Sequence, residues 1–251
     1  AGQGVDEPLS ETGFRQANAA GVLLSHVKFT HVFASDLLRA KQTTASILGQ
    51  NQFCKDIAVK YDSRLRERKY GVAEGRPLSD LKAMAKAAGE QCPSFTPPGG
   101  ESLDEVRARG KDFFDYLCHL VTQEACQEKH VGPRTPENGT GAATRSVSAS
   151  QTSHHPGLEC CSDGAATVLD AHMLVVSHGA YMRNWVGYFV SDLACTLPAT
   201  LTKAELSSVS PNTGISQFIV KLENRDSITP KVSCLSLNRD DHLRGMVAEK
   251  V

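Results

Sequence analysis

A histidine directly follows a short apolar segment in the second half of the chain. Met173–Gly179 reads Met-Leu-Val-Val-Ser-His-Gly, and Ala180–Val190 has the pattern of a helix. A nearly uninterrupted apolar run is typical of a strand buried on both faces of a mainly parallel sheet. Such sheets bind ligands at the carboxyl ends of their strands, where helix N-termini attract anions. His178 is therefore a candidate for binding an anion; the alternative is a histidine that merely ends the strand.

Two other segments carry charged groups suited to phosphate chemistry. Ser35–Thr43 places Arg39 in the first turns of a helix that follows a strand, and a planar guanidinium can bind phosphate with two parallel hydrogen bonds. In Arg64–Gly75, Glu67 lies among four cations, Arg64, Arg66, Arg68 and Lys69. These cations would bind an anionic substrate. A phosphate nearby would favour the protonated form of the Glu67 carboxyl group, which could then act as a general acid. Taken singly, the first segment is more typical of an exposed helical arginine, and the second of a solvated charged loop.

The pattern of strands and helices predicts how these segments are positioned. A glycine-bearing loop, Gly2–Ser10, leads into the first helix. Helices are predicted over Glu11–Val27, Leu37–Leu48, Ser79–Ala88 and Glu101–Ala125, and strands over Phe29–Ser35, Ile57–Tyr61, Ile215–Leu222 and Val232–Leu237. Strands that alternate with helices indicate a three-layer α/β/α sandwich with a mainly parallel mixed sheet. We expect the last two strands to form a hairpin-like pair at one edge of that sheet.

The amino-acid composition limits the partners and the cellular location that we expect for the protein. The chain of 251 residues has 27 basic and 28 acidic residues, a balance that argues against a nucleic-acid partner. The longest apolar runs fall short of the roughly 20 residues that cross a bilayer, so we expect no integral membrane association. Eight cysteines without a C-x-x-C pair favour reduced thiols and a cytoplasmic location. Gln127–Gly164 is rich in Ser, Thr, Gly and Pro and is predicted to be a disordered insertion in one domain; its His154-His155 and Cys160-Cys161 pairs lack zinc-ligand spacing.

Six motifs in order resemble those of the histidine phosphatase superfamily, the phosphoglycerate-mutase-like group. They are Pro8–Gly13, Ser35–Thr43, Leu65–Gly71, Glu74-Gly75, Pro97–Ser102 and Val175–Gly179. The resemblance spans nearly the whole chain and implies the fold of that group. It also implies a phosphatase that uses a phosphohistidine and neither metal nor cofactor. The implied substrate is a small phosphorylated sugar or glycerate, first fructose-2,6-bisphosphate and next 2,3-bisphosphoglycerate. The implied roles are regulation of glycolysis and apoptosis, and an association with the nucleus or mitochondrial surface rests on the resemblance alone.

The resemblance also assigns roles to residues of this chain. Glu67 matches the carboxyl group that protonates the leaving alcohol and later activates water, and His178 matches the second histidine of the site. Arg39 matches a phosphate clamp. The remaining matches are to positions that contact substrate or phosphate: Gly2, Gln3, Tyr70 and Gly179.

One family motif is missing from the 251 residues. The first strand of the family ends in Arg-His-Gly, whose histidine is the nucleophile, and this chain contains no such sequence. We therefore expect an N-terminally incomplete domain over residues 1–251, with the absent strand between the strands near Val32 and Val176. The chain would then be a fragment of an active enzyme, or a catalytically impaired form that binds or regulates. A phosphoglycerate mutase-type phosphotransferase is the alternative within enzymes.

Overall fold

Three short parallel strands form the main sheet of the protein. A computed structural model describes residues 2–130, 170–225 and 227–245. The strands are β1 (His31–Ala34), β2 (Val59–Tyr61) and β3 (Met173–Val176), and their order across the sheet is β2-β1-β3. The helices are α1 (Glu11–Leu23), α2 (Leu38–Gln50), α3 (Leu78–Ala87), α4 (Leu103–His130), α5 (Gly179–Ser191) and α6 (Lys203–Ser207).

Alternating side chains of β1 explain why helices cover both faces of this sheet. Phe33 points to one face and meets Phe113 of α4, with ring centroids 5.6 Å apart in an edge-to-face arrangement. Ala34 points to the other face and packs in a cluster with Ala40 and Ile47 of α2. Successive residues of a strand point to opposite faces, so a strand buried on both must be apolar throughout. The predicted three-layer α/β/α sandwich is confirmed.

The last two strands form a sheet of their own. β4 (Ile215–Arg225) and β5 (Ser227–Arg239) pair antiparallel, and they pack on α5 through Phe218 and Phe189, whose ring centroids are 5.1 Å apart. The predicted hairpin-like pair is confirmed, but its predicted place at the edge of the main sheet is wrong, because no strand pairing joins β4 or β5 to the other three strands in the described ranges. A cleft separates β4 from β3.

The pairing of β1 with β3 contradicts the predicted position of a further strand. Val32 is in register with Leu174 and Ala34 with Val176, so β1 and β3 are direct neighbours and nothing fits between them. Among the described residues β3 pairs with β1 alone, and its second edge faces the cleft. The cleft encloses about 2900 Å³, whereas small-molecule pockets span roughly 300–1,000 Å³. Its lining includes Leu23, Ile219 and Val220, which are 43%, 43% and 38% exposed.

Two element boundaries differ from the sequence expectation. α1 ends at Leu23 rather than Val27, since Leu24 leaves the helical conformation and the chain turns there. α4 continues to His130, so residues 127–130 of the predicted disordered insertion are helical. These residues are good helix formers and extend a helix that is already packed. The rest of the predicted insertion, 131–164, lies outside the described residues. Within the described ranges, none of the helices combines the length and apolar character needed to cross a bilayer.

Candidate active site

Glu67 is held by backbone N–H groups at the start of α5. Its Oε1 accepts hydrogen bonds from the N–H of Arg68 at 2.8 Å and of Tyr181 at 2.9 Å, and its Oε2 accepts one from Ala180 at 3.1 Å. The N–H groups of Ala180 and Tyr181 belong to the positive end of the α5 dipole, which stabilises a carboxylate, whereas that of Arg68 belongs to the loop of Glu67 itself. The loop that carries Glu67 is thereby fixed next to the residue that follows β3.

His178 lies at the carboxyl end of β3 and is buried. Its Nε2 lies 2.8 Å from the hydroxyl of Ser35, which follows β1. Burial, joined by the positive charges of Arg39 and Arg109 and opposed by Asp36, lowers the pKa of His178 to about 3. At neutral pH the imidazole is therefore uncharged and keeps one N–H donor and one acceptor.

The loop 2–9 is attached to the first turns of α2. Asp6 Oδ1 accepts a hydrogen bond from the N–H of Leu38 at 2.6 Å, and Gln42 Oε1 accepts one from Leu9 at 2.7 Å. Arg39 donates to the carbonyl oxygens of Val5 at 3.2 Å and of Gly2 at 2.7 Å. These two bonds engage two of the five N–H donors of the guanidinium. Arg39 thus lies near His178 and shapes the loop beside it.

The two other predicted substrate-contacting residues of this region are also held in place. Gly2 has a φ of +102°, and a Cβ at this position would overlap the carboxyl group of Glu74. Gln3 donates from its N–H to Glu74 Oε1 at 3.3 Å and from Nε2 to Glu101 Oε2 at 3.3 Å. Both residues therefore lie against Glu74, whose Oε1 also accepts a hydrogen bond from the N–H of Tyr70 at 2.6 Å.

Tyr70 and Gly179 lie on either side of Glu67. Burial raises the pKa of Tyr70, the charge of Glu67 raises it further, and the charges of Arg68 and Arg183 oppose this. Gly179 begins α5, where a Cβ would lie 2.7 Å from a side-chain carbon of Val209.

The cations around Glu67 do not all face the site, contrary to expectation. Arg64 pairs with Asp62 at 2.7 Å and with Asp112 at 2.9 Å and stacks on aromatic rings of α4. Arg68 is 2% exposed and donates to the carbonyl oxygens of Pro93, Phe95 and Glu101. Arg66 is paired with Asp36, and Lys69 is exposed. Alternate residues of an extended segment point in different directions, so one segment cannot aim four cations at one ligand.

Sequence reasoning missed four residues of the site. Ser35 and Glu101 stand within the motifs quoted above but received no role. Arg109 was passed over because the interpretation of its helix followed only the apolar stripe. Arg183 lies one turn into α5. Burial lowers the pKa of the Arg68 guanidinium, and the positive charge of Arg183 nearby lowers it further. A search for charged residues at the first turns of helices next to the site would have found the last two.

Fold and site together define a class of protein. It is a three-layer α/β protein in which an imidazole, a carboxylate and an arginine suited to an anion meet at the carboxyl edge of parallel strands. The chain belongs to the histidine phosphatase superfamily, because the family model for its branch 1 matches residues 1–128. In the described part of the chain, no group of three or more His, Cys, Asp or Glu side chains is arranged to hold a metal ion.

Relatives similar to this chain carry names that describe an activity. A mouse protein named fructose-2,6-bisphosphatase TIGAR is 56% identical over 249 residues, which cover 99% of this chain and 91% of the mouse protein. A zebrafish protein named fructose-2,6-bisphosphatase TIGAR B is 41% identical, with 96% and 88% of the two chains covered. The crystal structure of a phosphoglycerate mutase from Bacillus anthracis superposes with a TM-score of 0.60 at 17% identity, covering 97% of this chain and 87% of that one, which shows the shared fold.

The buried histidine predicts a pH dependence of stability. The folded-state pKa of about 3 lies below the ordinary value of 6.5, so the unfolded chain binds more protons between these values. The stabilisation is complete above about pH 6.5 and is lost progressively as the pH falls, by at most about 1.4 kcal/mol per pH unit. We expect His178→Gln, which keeps a partner for Ser35, to flatten this slope in denaturant titrations at acid pH. The exposed His26 provides the control, since His26→Gln should leave the slope unchanged; equal slopes for all three proteins would contradict the prediction.

Proposed function

We propose that this protein hydrolyses fructose-2,6-bisphosphate through a phosphohistidine intermediate and so takes part in the regulation of glycolysis. The observation that carries the proposal is the placement of Glu67, whose carboxylate is fixed by the N–H groups of Ala180 and Tyr181 at the start of α5, and by that of Arg68, beside the buried His178. The names of the TIGAR relatives, which describe them as fructose-2,6-bisphosphatases, favour this substrate over 2,3-bisphosphoglycerate. Phosphoryl transfer depends mostly on positioning and electrostatic stabilisation, which this arrangement supplies.

The proposed reaction has two steps that share one acid–base group. A histidine nitrogen attacks phosphorus, the bond from phosphorus to the sugar oxygen breaks, and Glu67 donates a proton to the leaving alkoxide. Glu67 then accepts a proton from water, whose oxygen attacks phosphorus, and the phosphorus–nitrogen bond breaks to release phosphate and the free histidine. Arg39 and the neutral His178 would hold the phosphoryl oxygens, and a neutral imidazole can do so through its N–H.

The cleft provides a position for the attacking histidine. The 251 residues contain no Arg-His-Gly sequence, so within the proposal the nucleophile belongs to a further strand between β3 and β4. Parallel strands of one sheet end at the same edge, so a strand parallel to β3 in the cleft would end next to Arg39, Glu67 and His178, all of which line it. The domain over residues 1–251 would then be a single unit that is completed by this strand.

The proposal is tested by the products and by the intermediate. A chain extended upstream through an apolar strand ending in Arg-His-Gly is incubated with fructose-2,6-bisphosphate that carries radiolabelled phosphate at position 2. We expect released phosphate together with acid-labile, base-stable label on the protein. Absence of phosphate release and of acid-labile label from all bisphosphates tried would overturn the proposed function.

The same assay separates the alternatives. Transfer of label to added phosphoglycerate, in preference to water, would identify a mutase. A Salmonella relative that is 36% identical over 41% of this chain is named as a probable phosphoglycerate mutase. Saturable binding of bisphosphate without label or product would identify a regulatory or binding protein. Within the proposal the substrate is a small phosphorylated sugar in the cytoplasm, and cell fractionation tests that location.

A further inference from the structure

Arg109 of α4 uses all five N–H donors of its guanidinium beneath the loop that carries Glu67. One terminal nitrogen donates to the carbonyl oxygens of Arg64 at 2.7 Å and Arg66 at 2.9 Å. The other donates to the carbonyl oxygen of Glu67 at 3.3 Å and to Glu101 Oε2 at 2.9 Å, and Nε donates to Glu101 Oε1 at 2.9 Å. A planar fork of five donors can satisfy these acceptors together, whereas a lysine ammonium offers three donors from one point.

Glu101 connects the same guanidinium to two other parts of the site. Its Oε2 also accepts hydrogen bonds from the N–H of Lys69 at 2.8 Å and from Gln3 Nε2 at 3.3 Å. The side chains of Arg109 and Glu101 are 19% and 18% exposed, so their bidentate pair is largely shielded from water. The pair therefore joins the glycine-bearing loop, the segment on both sides of Glu67, and α4.

A third contact places Arg109 against the helix that binds the Glu67 carboxylate. The guanidinium lies over the ring of Tyr181, 5.2 Å from its centroid. The backbone N–H of Tyr181 is one of the donors to Glu67 Oε1. Arg109 thus contacts both the main chain that carries the acid and the residue that fixes its carboxyl group, without contacting the carboxyl group itself.

We propose that Arg109, held by Glu101, is a positioning residue that sets the location of the Glu67 carboxyl group relative to the leaving oxygen of the substrate. The inference rests on the proposed function, because it takes Glu67 as the general acid. A displacement of about 1 Å at a reacting group can reduce the rate about 100-fold. The loss of rate should appear with substrates whose leaving group must be protonated and should be absent with substrates whose leaving group departs as a stable anion.

The leaving group of the substrate provides the test. The Arg109→Lys variant is made in the chain extended through the Arg-His-Gly strand. The rate of phosphohistidine formation is measured in a single turnover on fructose-2,6-bisphosphate and on p-nitrophenyl phosphate, because this step precedes the attack of water that both substrates share. The alkoxide of the sugar requires a proton, whereas p-nitrophenolate leaves without one. We expect the rate on the sugar phosphate to fall about 30- to 100-fold with substrate affinity nearly unchanged, and the rate on the aryl phosphate to fall less than about threefold.

Arg107 is a matched control two residues away. It pairs with Asp192 at 2.8 Å and contacts Ser191, tying α4 to α5 away from the site. Arg107→Lys should leave both rates within about twofold, since changes to exposed ion pairs have small effects. An equal loss on both substrates in Arg109→Lys, or no loss on either, would overturn the positioning role.

A further variant separates this inference from the proposed function. Glu67→Gln should show the same dependence on the leaving group, only larger. If it does and Arg109→Lys does not, the positioning role is wrong and the acid assignment stands. If Glu67→Gln shows no such dependence, the acid assignment itself is wrong.

Hydrogen exchange gives a readout that needs no turnover. The amides of Arg68 and Tyr181 donate to the Glu67 carboxylate, so their exchange reports how firmly it is held. Arg109→Lys should accelerate exchange in peptides covering these amides, while Arg107→Lys should not. Unchanged exchange in Arg109→Lys would contradict the proposed linkage.

Discussion

Extending the chain upstream by one apolar strand that ends in Arg-His-Gly is expected to raise the free energy of unfolding by about 5 kcal/mol or more, a large part of the stability of a domain. The second edge of β3 would gain hydrogen-bond partners, and apolar residues that line the cleft would leave water. Each large apolar side chain that becomes fully buried contributes about 1.5–3 kcal/mol. Urea titration of the two chains measures the difference, and the slope m should rise with the additional buried surface.

Two variants of the extended chain separate folding from chemistry. Replacing the histidine of Arg-His-Gly by asparagine should keep the gain in stability and abolish acid-labile labelling. Placing a proline within the added strand should remove the gain, because proline cannot donate to a ladder. The cleft assignment would be wrong if the added strand gave no stability. The nucleophile would be misplaced if the 251-residue chain turned over substrate rapidly and lost that activity on His31→Gln.

Replacing Glu67 by glutamine in the extended chain is expected to reduce kcat on fructose-2,6-bisphosphate by about 10²- to 10⁴-fold, the usual contribution of general acid–base catalysis. The amide cannot donate a proton to the leaving alkoxide. It also turns an NH2 group toward backbone N–H groups that require an acceptor, so the protein should lose about 1–3 kcal/mol of stability.

Steady-state kinetics at a temperature well below the transition of the variant separate these two effects. Glu11→Gln is a suitable control because Glu11 is exposed in the first turn of α1, and its activity should stay within about twofold. If Glu67→Gln retained most of its activity on the sugar phosphate while folding normally, another group would have to be the acid.

The sequence pattern located the polar groups better than it located the strands. His178 follows the apolar segment that forms β3, and Arg39 lies in the first turn of α2, the helix that follows β1, as the local pattern predicts. The order of strands was harder, since β1 and β3 are separated by more than a hundred residues and no pattern within either segment specifies its neighbour. The predicted gap between them was therefore wrong.

The charge pattern of the sequence also did not distinguish residues that face a substrate from residues that bind partners within the protein. Arg64 and Arg68 looked like substrate ligands, but one is paired with aspartates and the other is buried among carbonyl oxygens. The partners of Arg68 lie 25 to 33 residues away in sequence, beyond any local pattern. Arg109 shows the opposite error, since a residue interpreted as part of a helix surface holds the loop of the acid.

The attachment of the loop 2–9 to α2 has a consequence for how specificity can change during evolution or be altered by design. The loop has no regular structure of its own, and its course follows from hydrogen bonds with Arg39, Gln42 and the N–H of Leu38. Transplanting the loop alone into a homologous protein would transfer its sequence without its conformation. The smallest transferable module is the loop together with the opening turns of α2, so that the conformation of the loop and the sequence of the helix are inherited as one unit.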